Sequence, residues 1–153
     1  MIICNVMSRT AAVSASYKLK EKTAIISINN IDMSTGFKKS DNLIDVLALY
    51  FSDTDNGGEF SMSEEDAVKI RNFLGSVLSR IDRLIIHCEM GVSRSAGIAA
   101  AIMKALTGND QSVFESNRFV PNMHCYRTVL NALLDESGKS VLGSWNLQFK
   151  EAY

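Results

Sequence analysis

Two residues in this chain have the types and the spacing to do covalent chemistry on an anion. Cys88 and Arg94 bracket five residues in the run His87-Cys88-Glu89-Met90-Gly91-Val92-Ser93-Arg94-Ser95. A thiolate is a strong nucleophile, and a guanidinium presents a planar fork that grips two oxygens of one tetrahedral anion. A loop wrapped between a strand end and a helix start turns its backbone N–H groups inward, and the positive end of the helix dipole reinforces that cradle. Gly91, in the middle, has no Cβ and accepts the unusual dihedrals such a loop needs. The same field acts on Cys88, whose pKa falls from ~8.5 toward ~3.5–7.5 in such surroundings. One loop would then ionise the attacking group and bind the group it attacks, with Glu89, Met90, Gly91, Val92, Ser93 and Arg94 as the phosphate-binding residues.

The elements needed to position this loop are legible on both sides of it. Leu84-Ile85-Ile86 is a short, wholly apolar strand of the kind buried in a parallel sheet. Ser93 or Ser95 through Leu106 reads as a helix that ends near Gly108. Ile2–Met7 and Thr23–Ile28 read as further strands, and Asn29-Asn30 suits a turn. Leu43–Phe51 fits strand or helix by periodicity, and its end, Leu47–Phe51, looks like a strand running into the polar loop 52–58. Ser61 or Ser63 can cap a helix whose apolar positions recur from Ala67 to Ile81. Pro121-Asn122 opens a last helix to about Leu134. Strands alternating with helices predict an α/β domain with a central, mostly parallel sheet flanked by helices, and ligands in such sheets bind at the carboxyl ends of the strands.

Composition sets the frame. The 153 residues fit one domain spanning 1–153, and a hydrophobic fraction of 46% is ample for its core. A net charge of -1 supplies no field for nucleic acid or an acidic membrane. Three cysteines, Cys4, Cys88 and Cys125, and two histidines, His87 and His124, argue against a disulfide scaffold and a structural zinc site. The apolar N-terminal run lacks preceding basic residues, and no stretch approaches the ~18 apolar residues of a membrane span. The expectation is a cytoplasmic protein that uses no cofactor. The sequence does not give its oligomeric state.

The run His87-Cys88-x5-Arg94-Ser95, preceded by Leu84-Ile85-Ile86, resembles the signature of the cysteine-dependent protein tyrosine phosphatases. The short chain and the Gly-x-Ser-Arg-Ser ending look like the dual-specificity branch. The match is specific over 85–97 and extends more weakly from about Leu47 to Leu134. The first forty residues and the tail 143–153 carry no matching motif. The resemblance implies that Cys88 forms a cysteinyl-phosphate, that Arg94 binds the phosphoryl group, that Ser95 donates a hydrogen bond to the thiolate and that His87 braces the loop. It also implies a general acid, an aspartate some thirty-odd residues before the cysteine. Asp53 and Asp55 lie 35 and 33 residues before Cys88. Tyr50-Phe51-Ser52-Asp53-Thr54 fits the family's strand-then-aspartate pattern better, so Asp53 is the first choice and Asp55 the second. Asp66 is a weaker candidate, since its place suits the first turn of a helix.

The implied activity is metal-free hydrolysis of phosphomonoesters on tyrosine and on serine or threonine, with a phosphorylated protein as partner. The loop 89–93 holds no lysine, and Glu89 would repel extra phosphate if it faced the pocket. Arg118 and Arg127 are candidates for a basic rim. A catalytically weak phosphate- or phosphopeptide-binding module is the alternative, and sulfur transfer on a similar loop a third reading. Cys4 would have to approach Cys88 to trap its oxidised form as a disulfide. His124 and Cys125 are read as core or groove positions, and Trp145, Phe149 and Tyr153 as residues that pack on the body or a neighbour.

Overall fold

A computed structural model describes residues 1–30 and 36–152. Five strands form one sheet in the order β3-β2-β4-β1-β5, and every pairing in it is parallel. They are β1 (Ile2–Ser8), β2 (Thr23–Asn29), β3 (Leu43–Tyr50), β4 (Arg83–Cys88) and β5 (Leu147–Phe149). The helices are α1 (Arg9–Ser16), α2 (Glu64–Val77), α3 (Arg94–Thr107), α4 (Gln111–Phe114) and α5 (Met123–Leu133).

Alternation along the strands decides what each face packs against. Val6, Ile26, Ile28, Leu84 and Ile86 point into the main core, built with α2, α3 and α5. Met7, Ile25 and Ile85 point to the other face, where Ala12 of α1 meets them in a smaller cluster. The central strands β2 and β4 are therefore apolar on both faces, which is why they read as continuous runs. Helix α3 is almost wholly buried, and its alanines let it sit close to β4 and α5. Gly97 marks the tightest point, since a Cβ there would lie 2.3 Å from the Asn122 carbonyl oxygen.

Several elements differ from the sequence reading. The helical spacing through Ile81 overruns the helix: α2 stops at Val77, a 3₁₀ turn covers Leu78–Arg80, and Ile81 is extended yet buried. Asn29 closes β2 rather than opening a turn. Ser63, not Ser61, caps α2, in a reciprocal box with Asp66. Helices α1 and α4 and strand β5 were not expected. Helix α1 has eight residues rich in Ser, Thr and Ala and buries only Ala12 and Ser16, so it has little apolar periodicity to read. In the tail, Phe149 is buried in β5 and Trp145 packs against the main core. Tyr153 lies outside the described residues.

Candidate active site

The cradle forms where β4 ends. Cys88 is the last strand residue, Glu89–Ser93 make the loop, and Arg94 and Ser95 begin α3. Gly91 is the pivot. Its φ is +69°, and a Cβ would lie 2.4 Å from the Met7 carbonyl carbon and 2.5 Å from the Ser8 nitrogen. The loop can therefore lie directly on the end of β1 only with glycine there. Ser95 Oγ is 3.0 Å from the Cys88 sulfur. Burial pushes the Cys88 thiol pKa up. The Ser95 hydroxyl and the backbone N–H groups of Ser95, Val92 and Gly91 outweigh that, and the net shift is downward.

Arg94 is buried and held from behind. Its Nη1 donates to Asn30 Oδ1 at 2.7 Å and to the Phe51 carbonyl at 2.8 Å. Its Nε is buried with no partner among the described residues. A buried donor without a partner carries a desolvation cost that an anion would relieve.

The two aspartates of the 52–58 loop separate clearly. Asp53 Oδ1 accepts from Ser93 Oγ at 2.9 Å and from Asn122 Nδ2 at 2.8 Å, so its carboxylate is tied to the cradle loop. Asp55 Oδ1 accepts the backbone N–H of His124, on the first turn of α5. Asp66 is consumed by the cap of α2.

Behind the cradle runs a polar network with members that sequence reasoning missed. His87 Nδ1 donates to its neighbour's carbonyl, Cys88 O, at 2.9 Å, and His87 Nε2 lies 2.6 Å from Ser27 Oγ. Asn29 Nδ2 donates to the same hydroxyl at 3.2 Å. Because the Cys88 carbonyl can only accept, Nδ1 carries the ring proton, and Nε2 of the neutral ring accepts from the Ser27 hydroxyl. Burial lowers the His87 pKa, against the hydrogen bond to Cys88 O, and so favours the neutral ring. Arg9 extends the chain. It donates to Asn29 Oδ1, and its Nε contacts Glu89 Oε2 at 2.9 Å. Glu89 therefore does not stand as an unopposed charge beside the cradle, contrary to the concern raised by the sequence. Only an Arg at the first residue after a strand hinted at this, and the sequence gives no sign that β1 adjoins β4.

The remaining candidates lie elsewhere. Cys4 pairs with Leu84, four residues below Cys88, which is about 13 Å along the strand and out of disulfide reach. Cys125 is buried in the main core close enough for its charge to interact with Asp53, Arg94 and Cys88. His124 Nε2 binds the Met62 carbonyl. Arg118 reaches the Ala152 carbonyl near the C-terminal tail, and Arg127 is exposed on α5. Among the described residues, no group of three or more His, Cys, Asp or Glu is placed to hold a metal ion, and no helix is long and apolar enough to cross a membrane.

No protein-family model and no curated protein sequence matches the chain. Solved structures do. The human tyrosine phosphatase-like serine/threonine/tyrosine-interacting protein superposes with a TM-score of 0.56 at 18% identity, covering 83% of this chain and 94% of that one. A mouse protein assigned to the dual-specificity phosphatases, complexed with zinc tungstate, gives 0.59 at 13% identity over 82% and 78%. The PTP-2 phosphatase of Cydia pomonella gives 0.54 at 16% identity over 82% and 83%. The chain thus has the fold of the dual-specificity and tyrosine phosphatases.

Proposed function

We propose that the protein is a metal-free phosphomonoesterase that acts through a cysteinyl-phosphate on phosphotyrosine and on phosphoserine or phosphothreonine in proteins. The observation that carries this reading is the pairing at one loop of an acidified, hydrogen-bonded Cys88 with an Arg94 Nε that is buried and unpartnered. The fold shared with phosphatases supports it, as does the binding of tungstate, a tetrahedral oxyanion, by one of those neighbours.

In the proposed first step the Cys88 thiolate attacks phosphorus. The S–P bond forms as the P–O bond to the leaving group breaks. Asp53 delivers its proton to the departing oxygen, from a position tied to Ser93. Arg94 and the loop N–H groups hold the equatorial oxygens, whose charge they stabilise. In the second step water attacks phosphorus, Asp53 takes its proton and the thiolate departs. The Ser95 hydroxyl stabilises that leaving thiolate from 3.0 Å. His87 holds the Cys88 carbonyl and thereby the loop.

The test is turnover of p-nitrophenyl phosphate and of aryl phosphates with poorer leaving groups. Cys88→Ser abolishes turnover but retains binding of a phosphate analogue. Asp53→Asn slows poor leaving groups by about 10²–10⁴-fold, while Asp55→Asn leaves their rate relative to good ones unchanged. Full activity in Cys88→Ser defeats the reading. No hydrolysis by the wild type together with tight phosphopeptide binding favours the binding-module alternative. Inhibition by a chelator contradicts the metal-free mechanism.

A further inference from the structure

The segments around the cradle carry apolar side chains that the chain leaves in water. Phe60 is 70% exposed, Met90 75%, Val120 73% and Tyr50 47%. Met90 belongs to the cradle loop itself. Val120 is fixed to that loop by its N–H to the Val92 carbonyl. Tyr50 ends β3, just before Phe51, whose carbonyl holds Arg94. The Phe60 carbonyl accepts the Ser52 N–H, one residue before Asp53. Single exposed apolar residues are ordinary, but these four stand on segments tied to the cradle loop or to the residues that hold Arg94 and precede Asp53.

A groove of about 360 Å³ opens beside the cradle between the end of β3 and the start of α2. Tyr50 and Phe60 line it, and Asn30 and Phe51, the two partners of Arg94, belong to it as well. Among the described residues its charged lining is Glu59 and Asp66, with no lysine or arginine. Asp66 gives one oxygen to the α2 cap. Glu59 has no hydrogen bond or ion pair among the described residues. A carboxylate beside two exposed aromatic rings recognises a cation twice, by ion pairing and by the ring faces. The same surface repels a second phosphate or an acidic neighbour.

We propose that this groove binds the segment flanking the phosphorylated residue of a protein substrate and selects a basic side chain there, Arg or Lys, seated between Glu59 and the rings of Tyr50 and Phe60. This rests on the phosphatase reading above. The phosphate enters the Arg94 cradle, the basic flank enters the groove, and Met90 and Val120 give the substrate backbone an apolar seat. Polyphosphorylated small molecules are poor ligands for such a surface.

The experiment compares phosphotyrosyl peptides that carry Arg, Ala or Asp at each flanking position. The wild type is read by kcat/KM and the Cys88→Ser variant by Kd. At one or more positions the Arg peptide exceeds the Asp peptide by about tenfold, the sum of an exposed ion pair and a cation–π contact. Glu59→Lys abolishes or inverts that preference. Phe60→Ala reduces turnover of the Arg peptide severalfold. Both variants hydrolyse p-nitrophenyl phosphate like the wild type, because neither side chain touches the cradle. Equal kcat/KM and equal Kd for Arg and Asp peptides at every position overturns the proposal even if p-nitrophenyl phosphate is turned over. If that substrate is not hydrolysed, the phosphatase reading fails, and the two Kd values decide the groove by themselves.

Discussion

Strands β1 and β4 are neighbours, parallel and in register, with Ser8 beside Cys88, and each passes into a helix. At β1 the passage is immediate. The Ser8 side chain accepts the Ala11 N–H at 3.1 Å and closes the first turn of α1 on itself. At β4 the loop Glu89–Ser93 intervenes, and Ser93, at the N-cap position of α3, makes no cap bond, while its hydroxyl donates to Asp53. A helix start has N–H groups without intrahelical partners, and a withheld cap leaves one more of them free. One junction is therefore satisfied and inert. The other is left open, and its free N–H groups converge on a sulfur atom. The inert junction still serves the open one, since Gly91 rests on the Met7–Ser8 backbone and Arg9 holds Glu89.

The largest effect comes from forcing the two junctions apart. In Gly91→Ala the new Cβ meets main-chain atoms at 2.4–2.5 Å, and φ of +69° is strained for alanine. Either β1 or the loop must move. A displacement of about 1 Å at the cradle costs about 10²-fold in kcat/KM on p-nitrophenyl phosphate. Wild-type turnover in this variant would show that contact with β1 does not set the loop.

The same contrast separates the three cysteines. Burial pushes Cys4 up to about 12, and burial, followed by the nearby Asp53, does the same to Cys125. Cys88, also buried, is shifted down by its hydrogen bonds. Iodoacetamide at neutral pH therefore alkylates Cys88 selectively. Ser95→Ala removes a bond to the charged form and moves the alkylation midpoint to higher pH. The signs also fix stability. The depressed Cys88 value gives a contribution that is present above the unfolded pKa and lost as pH falls through the folded one. The raised Cys4 and Cys125 values give contributions present below their unfolded pKa of 9.0 and lost as pH rises toward about 12. A midpoint that does not move in Ser95→Ala would refute this account of the thiolate.

A smaller effect tests how the inert junction supports the open one. Arg9→Met frees the Glu89 carboxylate beside the cradle and removes a donor from Asn29. The expected loss in kcat/KM is about tenfold, near the value of one charge-assisted hydrogen bond. It comes with a higher Cys88 midpoint, since an unopposed negative charge disfavours the thiolate. Arg9→Met with Glu89→Gln recovers most of the midpoint shift. A purely structural defect would leave that double variant as impaired as the single one.

The sequence exposed the open junction and hid the inert one, for a physical reason. Cys88, Gly91 and Arg94 announce themselves because the chemistry proposed for them requires those residue types at that spacing, and β4 and α3 carry strong apolar patterns. Asp53 and Asp55 were both visible as loop carboxylates. What separates them is a contact 40 residues away, Ser93 to Asp53, that no local pattern encodes. Ser27, Asn29 and Arg9 act through a strand order in which β4 lies between β2 and β1. Such long-range adjacency is not written in periodicity. Helix α1 was lost to a short, small-residue sequence whose burial is slight.

The smallest effect isolates the inert junction itself. Ser8→Ala deletes the hydroxyl that accepts the Ala11 N–H and leaves the backbone beneath Gly91 in place. Loss of an N-cap costs about 1 kcal/mol, which in a domain of this size lowers Tm by about 2–4 °C. Turnover should hold, because the cradle uses the Met7–Ser8 main chain and not this side chain. If turnover instead falls along with Tm, the cap of α1 is coupled to the loop. The two junctions would then be one cooperative unit rather than a closed end supporting an open one.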